Sequence, residues 1–72
     1  MEIKEIFANV LACEKGEIEA NLKNLEFLNS LKRMECIFAL EDEYEITFLP
    51  SDIEKCRCLY DLLEICKCKL EV

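Results

Sequence analysis

The fold class predicted is all-α, a small antiparallel bundle of three main helices and one short helix, and three observations predict it. Apolar residues recur with helical spacing in the segments that hold most of them. Glycine and proline occur once each while 53% of residues are apolar, which argues against disorder and linker-rich architecture. Seventy-two residues make one domain with a small core, near the length below which chains need staples or metal. Residues 1–72 therefore read as a single domain, without internal repeats, low-complexity runs or boundaries.

Ile3, Ile6, Phe7, Val10 and Leu11 fall at i, i+3, i+4, i+7 and i+8, the stripe of an amphipathic helix. It should run from about Glu2 to Ala12 or Cys13, with Gly16 marking its exit. Residues 15–29 read as a connecting loop anchored by Ile18, Leu22, Leu25 and Leu28, since long loops in small domains need apolar anchors. Asn29 is an N-cap residue, and the second helix should span Ser30 to about Tyr44. Pro50 and Ser51 open a short helical turn to about Lys55. Leu59, Leu62, Leu63 and Cys66 then mark a last helix, fraying into Lys67 to Val72.

Much chemistry is excluded by composition. Without histidine there are no His-based triads, general bases or metal ligands. One glycine cannot build a phosphate-cradling loop or a dinucleotide fingerprint. A net charge of −7 argues against nucleic acid and suits a basic partner surface. No apolar run reaches membrane-spanning length, and the first residues alternate charge with Ile3, Ile6 and Phe7 instead of forming a signal peptide. The expectation is a cytoplasmic, monomeric, non-enzymatic protein with no membrane partner.

The segment Asn29 to Glu45 carries the functional signal. On a wheel of about 100° per residue, Cys36, Ile37, Leu40 and Tyr44 cluster as a core face. Leu31, Met34 and Phe38 cluster on a second side about 140° away, with Glu35, Glu41, Asp42 and Glu45 on or beside it. Ser30 lies at the amino-terminal edge of that strip. An apolar strip fringed by carboxylates has the composition of a partner-binding surface. The bland alternative is that Leu31, Met34 and Phe38 pack beneath the preceding loop.

The run Asn29-Ser30-Leu31, followed by a helix that ends in Leu40-Glu41-Asp42-Glu43-Tyr44, resembles the second helix of acyl carrier proteins. There Asp-Ser-Leu precedes an acidic helix ending in Leu-Glu-Glu-Glu-Phe. Upstream, Leu11-Ala12-Cys13-Glu14-Lys15-Gly16-Glu17-Ile18 is similar to that family's Leu-Gly-Val-x-x-x-x-Val/Ile, and Ile46-Thr47-Phe48-Leu49-Pro50 resembles its passage into the short helix. The resemblance covers nearly the whole chain. It implies that Ser30 carries a covalent 4′-phosphopantetheine arm whose thiol holds acyl intermediates as thioesters. It implies as partners a phosphopantetheinyl transferase and acyl-activating or acyl-transferring enzymes with basic docking surfaces, in fatty-acid, lipid or specialised acyl biosynthesis. The docking face would comprise Leu31, Met34, Glu35, Phe38, Glu41 and Asp42.

Three departures bear on that reading. Asn29 replaces the family's Asp; it caps a helix about as well but lacks the charge offered to the transferase, so modification should be slower and the fold unaffected. Phe27 stands where a glycine is usual. Lys32 and Arg33 place two cations in the first helical turn, where the dipole disfavours them by a few tenths of a kcal/mol each. With no structural benefit legible in the sequence, that cost points to a specialised carrier with a dedicated partner. Other readings are an aminoacyl or peptidyl carrier, and an unmodified interaction module that kept the fold.

Six cysteines, with Cys56/Cys58 and Cys66/Cys68 as Cys-x-Cys pairs, raise a metal site as a further reading. If Leu59 to Ile65 is helical, Cys58 and Cys66 stand about 12 Å apart, too far for one tetrahedral ion. Cys13, Cys36 and Cys66 occupy positions suited to small hydrophobes, and no metal is expected.

Overall fold

The computed structural model describes residues 2–71, which form five helices: α1 (Ile3–Leu11), α2 (Lys15–Ala20), α3 (Ser30–Tyr44), α4 (Pro50–Lys55) and α5 (Leu59–Leu70). No strand occurs among the described residues. The fold is the expected helical bundle with one short helix more than the apolar periodicity predicts. α3 is central and packs against both α1 and α5. Phe7 and Ile18 meet Cys36, Ile37 and Leu40 of α3 and Leu59, Leu62 and Cys66 of α5 in the solvent-free core. Each fully buried aliphatic or aromatic side chain there contributes about 1.5–3 kcal/mol relative to exposure. The radius of gyration, 11.0 Å, equals the roughly 11 Å expected of a compact chain of this length.

Ile3, Ile6 and Phe7 bury one face of α1, while Val10 and Leu11 pack partly against the same core. Gly16 does not end this helix. Ala12 does, by turning into the left-handed region (φ 53°, ψ 45°), so that the Cys13 N–H reaches the Ala8 carbonyl at 3.0 Å. The family pattern that resembles this stretch has glycine there; alanine adopts the conformation at a cost of about 1 kcal/mol. Gly16 instead lies inside α2, with open space where a side chain would stand.

The expectation of a loop over residues 15–29 is therefore corrected in its first part. α2 is six residues long with one buried side chain, Ile18, too little for periodicity to register. Its stability comes from tertiary contact. Ile18 is fully buried, and ion pairs Lys4–Glu19 and Lys15–Glu2, both 2.8 Å, tie the helix to α1. Being exposed, those pairs add tenths of a kcal/mol and fix orientation more than stability.

Of the four expected loop anchors, Ile18, Leu22 and Leu28 pack on the core, but Leu25 is 57% exposed. The Asn24 side chain is the reason: it accepts the Glu26 N–H at 3.0 Å and donates to Asn21 Oδ1 at 3.1 Å, folding a local turn with Leu25 at its tip. Phe27 takes the anchoring role. The Leu22 carbonyl also accepts the Tyr60 N–H at 2.9 Å, satisfying a first-turn donor of α5 that the helix itself cannot.

α5 does not fray at Lys67 but continues to Leu70. Lys69 Nζ lies 2.8 Å from Asp52 of α4 and 5.6 Å from the centre of the Phe48 ring, and Lys67 and Lys69 suit the negative end of the helix dipole. Val72, the end of the expected fraying segment, lies outside the described residues.

Candidate functional site

Every feature around Ser30 follows from how α3 begins. Asn29 has extended backbone (φ −91°, ψ 176°), and its Oδ1 accepts the Lys32 N–H at 2.7 Å. Its carbonyl accepts the Arg33 N–H at 3.0 Å, the first bond of the helix. Ser30 is thereby fixed as the first helical residue, and both it and Asn29 are exposed. The preceding segment is held by Phe27 and Leu28 on the core, so the chain leading into the serine is anchored. A hydroxyl there is accessible and sits at the positive end of a fifteen-residue helix.

The first turn of α3 contains no acid. Lys32 and Arg33 supply positive charge instead, and Arg33 has a structural role that the sequence hid. Its Nη1 donates to the Cys56 carbonyl at 3.3 Å, joining the start of α3 to the end of α4. The expectation that the two cations bring no structural benefit is corrected for Arg33. Its Nε, however, is buried and has no hydrogen-bond partner.

The expected strip on α3 is only partly a surface. Leu31 and Phe38 are 67% and 59% exposed, and Asp42 is exposed beside them. Met34 packs against the core, since by the 100° step it lies about 60° from Ile37, nearer the buried face than Phe38 is. Glu35 is half-buried. Glu41 is drawn away from the strip, because its Oε2 accepts the Phe48 N–H at 2.8 Å and braces the chain between α3 and α4. Just past that brace Leu49 is 55% exposed at the head of α4, an apolar neighbour that single-helix periodicity cannot find.

α4 buries none of its own residues completely and is held by polar ties. Asp52 accepts the Leu49 N–H at 3.0 Å and pairs with Lys69, and Cys56 Sγ donates to the Asp52 carbonyl at 3.1 Å. Lys69 foremost, then the Leu49 N–H, holds the Asp52 carboxyl below its ordinary value.

The cysteines are scattered. Cys36, Cys56, Cys58 and Cys66 are buried, Cys13 is half-buried and Cys68 is exposed, all as free thiols. Among the described residues, no three Cys, Asp or Glu side chains converge as a metal site would require. Burial pushes the Cys36 thiol up to about 12 and the Cys56 thiol up to about 11, so neither is a nucleophile near neutrality. An open groove of about 350 Å³, lined by Ile3, Tyr44 and Leu63 with Lys4 and Lys67, lies at the far end of α3, roughly 20 Å along the helix from Ser30. No helix among the described residues is long and apolar enough to cross a membrane.

What this arrangement offers is an exposed hydroxyl at a capped helix start in a cationic setting. A negatively charged group attached there would be favoured by the dipole, Lys32 and Arg33. The comparison with known families agrees: the family model described as "Phosphopantetheine attachment site" matches residues 2–66. No solved structure matches the chain.

Proposed function

The chain belongs to the phosphopantetheine attachment family, and we propose that Ser30 holds the arm and that the cargo is an acyl group. Membership makes it a non-catalytic carrier that works with partner enzymes and carries a covalent 4′-phosphopantetheine. The arm supplies the thiol on which cargo rides as a thioester. The residues of this chain supply the rest: Asn29 sets the turn that exposes Ser30, and α3 presents a face to the partner. The 72 residues would act as one carrier domain.

The observation that carries the assignment is the exposed Ser30 at the first position of α3, held by the Asn29 cap inside the matched region. Ser51 is exposed as well, but α4 is six residues long and its start is already occupied by the Asp52 carboxylate. Partners proposed are a phosphopantetheinyl transferase and acyl-activating or acyl-transferring enzymes with basic surfaces, in fatty-acid, lipid or specialised acyl synthesis. They would meet Leu31, Glu35, Phe38 and Asp42, with Met34 beneath and Glu41 serving the brace to Phe48. The acidity of α3 supports an acyl cargo over an aminoacyl one. Free thiols throughout suit a reducing compartment, so the proposed location is the cytoplasm.

Incubation with coenzyme A and a broad-specificity transferase should add the mass of one arm, and Ser30→Ala should abolish the gain. A gain that persists in Ser30→Ala and vanishes in Ser51→Ala would move the attachment site to α4. No gain with any transferase, including that of the native host, would favour an unmodified interaction module.

A further inference from the structure

We propose that Arg33 binds the phosphodiester of the arm carried on Ser30, in addition to tying α3 to α4. The inference rests on the Ser30 assignment above. Three observations carry it. Ser30 and Arg33 are at i and i+3, a spacing that puts side chains on one face of a helix about 5–6 Å apart at Cβ. The guanidinium is half-used: Nη1 donates to the Cys56 carbonyl over a long 3.3 Å, while the Nε–H is buried without a partner. No ion pair found among the described residues includes Arg33, although the chain carries sixteen acidic residues against nine basic ones.

A buried, unpaired donor on a charged group is costly in a folded protein and calls for an explanation. Here the cost arises three residues along α3 from the hydroxyl to which a phosphodiester would be joined. The Nε edge of a guanidinium is one side of the planar fork that matches phosphate oxygens. In the bare chain Arg33 and Lys32 add positive charge to the positive end of the α3 dipole. With the phosphodiester in place, the same charges become favourable. Arg33 is thus a binding residue for the attached group as well as a tie within the fold, and that second role explains why this acidic chain keeps cations in that turn.

The test compares bare and modified protein, wild type and Arg33→Met, which keeps the apolar stem without the charge. Modification should raise Tm of the wild type by roughly 4 °C or more, the size of one modest charge-assisted contact in so small a domain. In Arg33→Met the increment should fall by at least half, and about 0.5 M salt should shrink it in the wild type. Equal increments in the two proteins overturn the proposal. Should Arg33→Met fail to fold, the wild type decides by itself: the Arg33 Nε–H signal in proton–nitrogen spectra should move on modification while that of Arg57 stays. A modified protein whose Arg33 signal does not move sinks this inference and leaves the carrier reading standing. A chain that takes no arm at Ser30 sinks both.

Discussion

At the scale of single residues, Asn29 separates two properties that an aspartate would combine. Its side chain caps α3 through a 2.7 Å bond to the Lys32 N–H, so the fold loses nothing by its neutrality. Asn29→Asp should therefore leave the unfolding midpoint nearly unchanged while raising the rate of arm transfer, whereas Asn29→Ala should cost about 1 kcal/mol. An unchanged rate in Asn29→Asp would mean that the host's transferase does not use charge at that position. The thiols make a second residue-scale test. Burial raises Cys36 to about 12 and Cys56 to about 11, above the ordinary thiol value of 9.0. A raised folded value means that their contribution to stability is full below the ordinary value and is lost as pH climbs through it toward about 11–12. Under native conditions at about pH 8, an alkylating reagent should label exposed Cys68 first and spare Cys36 and Cys56 until the chain unfolds. Rapid native labelling of Cys36, read by peptide mass, would contradict its place in the core.

Individual elements differ in whether burial or polar ties hold them, and α4 is held least by burial. It buries none of its residues fully and depends on Asp52, whose carboxylate receives both Lys69 and the Leu49 N–H. A carboxyl held below its ordinary value contributes stability that is present above about pH 4 and is lost as pH falls through the folded value. The Ile53 methyl signal should accordingly shift in acid below about pH 4, and Asp52→Asn should show no such step. A step of equal size in Asp52→Asn would assign the acid sensitivity to another carboxylate. The same contrast decides what the sequence could reveal. α3 was legible from Ser30 to Tyr44 because an N-cap and a continuous core stripe mark it in the chain itself. α4 was legible too, from Pro50 at its start. α2 was not, since a six-residue helix with one buried side chain is held by contacts to α1 that no local pattern records. Leu25 misled for a related reason: a long loop is expected to be pinned by its apolar residues, and the Asn24 turn puts this one at a loop tip. At the site, the exposure of Ser30, Leu31 and Phe38 followed from their own helix. The inward work of Arg33 and Glu41 depends on Cys56 and Phe48, 23 and 7 residues away, and only the folded chain reveals it.

For the whole molecule, charge and apolar surface have to be weighed together. A chain of net charge −7 attracts basic surfaces from any side, so acidity alone cannot select a docking face. Leu31 and Phe38 can, because they are large apolar side chains left exposed two turns apart on the helix that begins at Ser30, with Glu35 and Asp42 beside them. The carboxylates would then govern encounter, and the apolar pair would govern how long the complex lasts. Glu35→Lys and Asp42→Lys should lower the association rate with a cognate enzyme and flatten its dependence on salt, since screening acts within about 8 Å at physiological ionic strength. Phe38→Ala should instead speed dissociation, with little effect on the salt slope. Neither class should destabilise the fold much, in contrast to Leu40→Ala, which opens the centre of the core and should cost about 2–5 kcal/mol. A carrier face elsewhere, for instance around Leu49, would show itself by normal kinetics in all three α3 surface variants while Leu49→Ala dissociates faster. Because α4 is tied to α3 through Arg33, the Glu41 brace and the core, that outcome would also move the functional weight of the molecule from its longest helix to its least buried one.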